Sequence, residues 1–127
     1  MASWTDMAAE ALVAAKILRD AGQWRSTVSR AYYAAFSALT AELSDIVGHG
    51  FGKYEHPPHR EMARLIERHL KQHLRTGDSD WLKSLIRRLY KARLDADYVS
   101  GASIDVRLAR DALRDAHAVF RLLEVPT

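Results

Sequence analysis

Apolar residues recur every three to four positions along most of this chain, which is the spacing of one face of an α-helix. The longest such stretch predicts a helix over 24–47, with Trp24, Val28, Leu39 and Leu43 on one side. We expect this helix at the centre of a bundle, because its small residues would let other helices approach closely. Those small residues are Ala31, Ala34, Ala35 and Ala38.

Four further helices follow from the same periodicity and from residues that start or stop helices. Gly22 would end the first, Pro58 would open the third, and Asp78 or Ser79 would cap the fourth. The predicted ranges are 6–20, 24–47, 58–74, 80–98 and 103–123, with a flexible loop over 48–58 that contains Gly48, Gly50 and Gly52. The inner side of the third helix is predicted as Met62, Leu65 or Ile66, His69, and Leu70 or His73. Five helices with mostly short connections predict an all-α antiparallel bundle.

The length and composition of the chain fit one domain, which we place over 1–127. The absence of cysteine excludes disulfides, thiolate zinc ligands and cysteine nucleophiles. The first residues lack the pattern of a signal peptide, and no apolar run approaches the ~20 residues needed to span a bilayer. We therefore expect a cytoplasmic protein that does not associate with membranes.

Basic residues are concentrated in the second half of the chain. Residues 60–93 carry ten lysines and arginines against four acidic residues, a local charge of +6 in a chain whose net charge is +3. Such a surface favours phosphate-bearing partners or an acidic protein, and the alternative is a solvated helical surface. The basic residues form two stripes, Arg64, Arg68, Lys71 and Arg75 on the third helix and Lys83, Arg87 and Lys91 on the fourth.

The histidines offer an alternative chemistry. His69 and His73 are one helical turn apart, a spacing that can bind a metal, and His56 and His59 lie upstream. However, no carboxylate has the placement that a helical zinc motif requires, and proline separates the upstream pair. We therefore predict neither a metal site nor a cofactor.

Charged and aromatic residues stand among small apolar ones on the second and fourth helices. Arg93 and Asp97 are spaced so that they can pair on one helix. Arg30 is flanked by alanines, so we expect it to be partly buried. The sequence predicts a polar network of Arg30, Tyr33, Arg93, Asp97 and Tyr98, which either fixes the helix register or lines a ligand or nucleic-acid site.

Two segments and the order of the helices resemble the HEPN domain, a small all-helical domain found beside nucleotidyltransferases and in RNA-cleaving toxins. The segments are Ser-Arg-Ala-Tyr-Tyr-Ala-Ala-Phe over 29–36 and Arg-Leu-Asp-Ala-Asp-Tyr over 93–98, and a histidine before the third helix, His56 or His59, agrees as well. The resemblance covers about 6–124 and is greatest to the stand-alone, largely uncharacterised branch. It implies a homodimer and a minimal nucleotidyltransferase as partner.

The resemblance also implies candidate roles for individual residues. HEPN ribonucleases carry an Arg-x4-6-His motif, in which histidine handles the proton of the attacking 2′-hydroxyl and arginine stabilises the phosphate. Arg93 matches this arginine, whereas Tyr98 stands where the histidine would be, so the question of enzymatic activity stays open. Tyr98 is also a candidate acceptor of nucleotide transfer. The candidate catalytic residues are Arg93, Tyr98 and His56, and the candidate ligand-binding residues are Arg30, Tyr33, Asp97 and Arg87.

Three functional hypotheses stay open, two from this resemblance and one in which the polar network serves folding alone. The first is a nucleotide- or RNA-binding module that works with a nucleotidyltransferase as a toxin–antitoxin pair. The second is a metal-independent endoribonuclease toxin, with a histidine supplied by His56, His59 or a second subunit. The third is a structural or interaction protein that binds no ligand.

Overall fold

A computed structural model describes residues 3–48 and 56–126 of the chain. The helices are α1 (Trp4–Asp20), α2 (Trp24–Val47), α3 (Met62–Leu65), α4 (Asp78–Tyr98) and α5 (Val106–Leu122). The described residues contain no strand, so the predicted all-α fold with five helices is confirmed.

The third helix is irregular, although the sequence predicts a continuous α-helix there. The 3₁₀ turns His59–Glu61 and Lys71–His73 and the π-helical turn Ile66–Leu70 extend α3 on both sides. Its buried residues Met62, Ile66 and Leu70 are spaced by four. The wider π turn keeps that spacing closer to one line than the 3.6 residues per turn of an α-helix. The inward position predicted for His73 is wrong, because position 73 falls off this line and is exposed.

The starts of α1, α4 and α5 differ from the prediction by two or three residues, because side chains and one glycine cap them. α1 begins two residues earlier, since Ser3 and Asp6 form reciprocal hydrogen bonds of 3.1 Å in a capping box. α4 also begins two residues earlier, with Gly77 as its N-cap at a φ of 89°. α5 begins three residues later, because the carboxylate of Asp105 accepts a hydrogen bond from the backbone N–H of Leu108.

α2 lies at the centre of the bundle, as predicted, and packs against α1, α4 and α5. It keeps the predicted range and ends at Gly48, whose φ of 76° lies in the left-handed region. The alanines expected to permit close approach are all fully buried, namely Ala31, Ala34, Ala35 and Ala38. Gly50 and Gly52 of the predicted loop lie outside the described residues.

All of the long helices contribute to one hydrophobic core. Residues 21–23 alone join α1 to α2, and because the two helices pack along each other they run antiparallel. A single domain over 1–127 stays a prediction.

Over the residues that the structure describes, none of the helices has the length and apolar character to cross a membrane.

Candidate functional site

Polar residues on one face of α2 contact the C-terminal end of α4. Arg25, Ser29 and Tyr33 are spaced by four residues and therefore lie on this face. The guanidinium of Arg25 donates to five main-chain carbonyls at the end of α4 and in the following connection, at 2.8 to 3.3 Å. Ser29 Oγ donates to Asp97 Oδ2 at 3.2 Å, and the hydroxyl of Tyr33 accepts from Arg93 at 2.8 Å. These five residues form the α2–α4 seam.

Arg93 joins three side chains of this region, and its own side chain is only 11% exposed. Its Nε donates to Asp97 Oδ2 at 3.0 Å, and its Nη2 donates to the hydroxyls of Tyr33 and Tyr98, at 2.8 and 3.3 Å. Nη1 donates to no group among the described residues, and it is not fully buried.

The charge of Arg93 is retained in this environment. Partial burial lowers the pKa of Arg93, but Tyr33, Tyr98 and Asp97 more than offset that effect and raise the pKa above its ordinary value. Arg93 is therefore a cation with one nitrogen left for a ligand.

Arg30 lies at the outer edge of the seam. Its guanidinium carbon is 5.2 Å from the ring centroid of Tyr33, and that of Arg93 is 5.3 Å from the same centroid. Arg30 makes no hydrogen bond or ion pair with the described residues. The expected partial burial of Arg30 is wrong, because the flanking Ala31 and Ala34 face the core while Arg30 faces solvent.

Tyr98 completes the predicted network. Its side chain is 70% exposed, and its ring centroid lies 5.3 Å from the guanidinium carbon of Arg93. The structure thus brings together all five residues of the predicted network, and their roles toward a ligand stay a prediction.

His59 joins the seam through the aromatic residues beneath Arg93. Its Nδ1 is 2.6 Å from the hydroxyl of Tyr32, and its ring stacks on Phe36 with centroids 4.1 Å apart. The guanidinium carbon of Arg93 lies 5.8 Å from the ring centroid of Tyr32. Burial, the charge of Arg93 and the charge of His56 each lower the pKa of His59, so the imidazole is neutral at pH 7.

The tautomer of His59 follows from its partner. Burial raises the pKa of Tyr32 far above its ordinary value, so this hydroxyl keeps its proton. His59 Nδ1 is the acceptor within reach of that proton, because a hydrogen on Nδ1 would leave the hydroxyl hydrogen of Tyr32 without a partner. Neutral His59 therefore carries its hydrogen on Nε2.

Two candidates from the sequence lie apart from Arg93. The ring of His56 packs against Trp4 and Phe36, with centroids 6.2 and 5.6 Å apart, and its Nδ1 is 2.9 Å from the carbonyl of Pro57. Arg87 is exposed on α4 and makes no hydrogen bond or ion pair with the residues described here. The participation of His56 and Arg87 in a site stays a prediction.

The sequence reasoning missed Arg25, Ser29 and Tyr32. The spacing of Arg25, Ser29 and Tyr33 was a usable signal, because polar residues four apart on an otherwise buried helix must find partners. Tyr32 fell on the apolar face of α2, so its hydroxyl was overlooked.

A separate cavity of about 530 Å³ lies at the other end of the bundle. Its lining includes Asp78 and Trp81 in the first turn of α4 and Arg121 in the last turn of α5. The seam, by contrast, lies at the last turns of α4. Within residues 3–48 and 56–126, no group of three or more histidine, aspartate or glutamate side chains could hold a metal ion.

The family model of the HEPN domain matches residues 1–125. The chain belongs to the HEPN family. This membership supports a nucleotide- or RNA-related module in general. Comparison with curated proteins gave no significant match.

Proposed function

We propose that this HEPN protein binds a phosphate-bearing ligand, a nucleotide or single-stranded RNA, at the outer edge of the α2–α4 seam. The observation that carries the proposal is the pair of guanidinium groups, Arg30 and Arg93, at 5.2 and 5.3 Å from one ring, that of Tyr33. Asp97 is the one carboxylate hydrogen-bonded within this group, so the charge there is net positive.

The free donors of the two arginines suit a phosphate group. Arginine presents its N–H groups in a planar fork that matches phosphate oxygens. Within the part of the chain that the structure describes, no group accepts a hydrogen bond from Arg30 or from Nη1 of Arg93. The exposed ring of Tyr98 lies beside them and offers a face on which a base can stack.

Salt-dependent binding tests this proposal. A labelled single-stranded RNA is titrated with the protein at several KCl concentrations, and binding is followed by fluorescence anisotropy. Two arginine–phosphate contacts predict a slope of log K against log salt of about −1.4, and Arg30→Ala should reduce it to about −0.7. Arg30 makes no hydrogen bond, so this variant should fold as the wild type does.

Arg121→Ala is the matched control, because Arg121 is also exposed and lies at the other end of the bundle. It removes the same charge and should leave the slope unchanged. An equal effect of both variants would show diffuse attraction to the basic surface, and the absence of binding by the wild type would refute the proposal.

A second candidate is metal-independent RNA cleavage, which the position of His59 favours. The hydroxyl of Tyr32 contacts His59 Nδ1, and the guanidinium of Arg93 lies over the ring of Tyr32. A histidine that precedes α3 and the candidate arginine therefore contact the same tyrosine. RNA is incubated with the protein in EDTA, beside His59→Asn and Arg93→Ala. Cleavage that is lost in both folded variants would support this candidate, and intact RNA in every sample would exclude it.

A nucleotidyltransferase partner in a toxin–antitoxin pair and a homodimer are further proposals, which rest on the family resemblance. The exposure of Tyr98 supports it as the acceptor of a nucleotide, because an enzyme could reach its hydroxyl. Incubation with a nucleotidyltransferase encoded beside this protein and ATP should add the mass of one nucleotide to the wild type and none to Tyr98→Phe.

Light scattering after gel filtration would test the proposed homodimer.

A further inference from the structure

The two carboxylate oxygens of Asp97 differ in the hydrogen bonds that they accept from the described residues. Oδ2 accepts hydrogen bonds from Arg93 Nε at 3.0 Å and from Ser29 Oγ at 3.2 Å. Oδ1 accepts none from the described residues, and the side chain is 27% exposed. Because its two donors come from two different helices, the carboxylate is held in orientation while its side chain stays partly exposed.

An ionised carboxylate oxygen can only accept hydrogen bonds, so Oδ1 selects a ligand that brings a donor. The phosphodiester group of a nucleic acid carries no donor, so it does not satisfy this oxygen and is repelled by its charge. The fitting ligand therefore combines an anionic group for Arg30 with a neutral hydroxyl for Asp97.

The surface next to Asp97 has room for such a ligand. A depression of about 420 Å³ is lined by Arg30 and Asp97, together with the hydroxyl-bearing Ser26 and Ser29. An anion-binding group and a free acceptor thus border one concave space. A ribonucleotide carries the matching pair of groups, since its sugar hydroxyls stand beside its phosphate.

We propose that Asp97 is a specificity-determining residue that selects ribose over deoxyribose, with Oδ1 accepting a hydrogen bond from the 2′-hydroxyl of a ribonucleotide. This inference rests on the proposed binding of the phosphate by Arg30 and Arg93. The 2′-hydroxyl is the group that distinguishes RNA from DNA, so this hydrogen bond would make the site prefer RNA.

The test compares one short adenosine oligonucleotide in three forms, namely ribo, 2′-deoxy and 2′-O-methyl. Wild-type protein should bind the ribo form about tenfold more tightly, the effect of one hydrogen bond to a charged acceptor. The 2′-O-methyl form keeps the oxygen but lacks the donor, so it should bind as weakly as the deoxy form. This comparison needs no variant and is independent of any folding defect.

Asp97→Asn provides the protein side of the test. The amide oxygen can still accept from Arg93 and Ser29, whereas an NH₂ donor replaces the free acceptor. The ratio of ribo to deoxy affinity should fall to about one, while affinity for the deoxy form stays equal or rises because a negative charge is lost. Asp95→Asn is the control, since Asp95 pairs with Lys91 on the same helix, and it should keep the wild-type ratio.

The outcomes separate the two proposals. If the wild type binds neither form, the proposed function fails and this inference fails with it. If the wild type binds all three forms equally, phosphate binding stands and the role of Asp97 is refuted. The role is also refuted if Asp97→Asn weakens the ribo and deoxy forms by the same factor, which would indicate that Asp97 only positions Arg93.

Discussion

Arg25 should be among the most important single residues for the stability of this protein. Its Nη1 donates to the carbonyls of Asp95, Ala96 and Val99 at 3.3, 2.9 and 3.0 Å, and its Nη2 donates to those of Ser100 and Ala102 at 3.1 and 2.8 Å. The last carbonyls of a helix have no partner within the helix, and a cation near them interacts favourably with the helix dipole. Arg25 therefore acts as the cap of α4.

The expected cost of Arg25→Ala follows from these contacts. The two Nη groups carry four hydrogens, and one hydrogen bond to a charged group contributes about 1.5–3 kcal/mol. Water replaces some of these bonds in the variant, because the carbonyls of Val99 and Ser100 lie in exposed residues. We expect a loss of about 2–4 kcal/mol in the free energy of unfolding, which leaves a folded protein if the total is 5–15 kcal/mol.

Urea denaturation followed by circular dichroism measures this loss, and amide hydrogen exchange locates it. Exchange should accelerate first at residues 95–102, before the core of α2. Arg19→Ala is the control, because Arg19 makes an ion pair with the exposed Asp20, and this change should cost less than about 1 kcal/mol. A loss in Arg25→Ala no larger than in the control would refute the capping role.

Three further changes test the interior. Thr40→Val should raise the free energy of unfolding by about 1 kcal/mol, because the hydroxyl of Thr40 is fully buried without a partner among the described residues. Valine has the same shape as threonine, so a loss of stability in urea would contradict this reasoning. Since the pKa of His59 is lowered on folding, the unfolded chain binds more protons, and stability should fall as the pH drops below about 6.5, the ordinary pKa of histidine. His59→Asn keeps an acceptor for Tyr32, so its melting temperature should fall less than that of the wild type between pH 7 and 5.5, and an equal fall would contradict the assignment. Arg88→Ala should cost about 2–4 kcal/mol in urea, because it removes the bidentate partner, at 2.8 and 3.1 Å, of the buried carboxylate of Asp115, and a cost below about 1 kcal/mol would show that water or another group replaces it.

The sequence alone predicted the helical bundle and those contacts of the site that form within one helix. The hydrophobic period located α2 to the residue, and the i, i+4 spacing of Arg93 and Asp97 predicted an ion pair that forms at 3.0 Å. The contact of Arg25 could not be predicted in this way. Its acceptors are main-chain carbonyls seventy or more positions away, and every residue type carries such a carbonyl, so the sequence does not indicate them.

The choice between His56 and His59 was also beyond the sequence. Both precede α3, and the sequence gives no reason to prefer either. The 3₁₀ turn at His59–Glu61 sets the ring of His59 against Phe36 and Tyr32, and the role of either histidine in a site stays a prediction. A backbone irregularity of three residues therefore places the imidazole of His59 against Tyr32, whose ring the guanidinium of Arg93 also contacts.

The three arginines of this region differ in how many of their donors the protein itself uses, and this difference separates structure from binding. Both Nη groups of Arg25 donate to carbonyls, so this residue has little left for a ligand. Toward the described residues, Arg93 donates through Nε and Nη2 but not through Nη1, whereas Arg30 donates through none of its nitrogens. Substitution of Arg25 should therefore change stability, that of Arg30 should change binding, and that of Arg93 should change both.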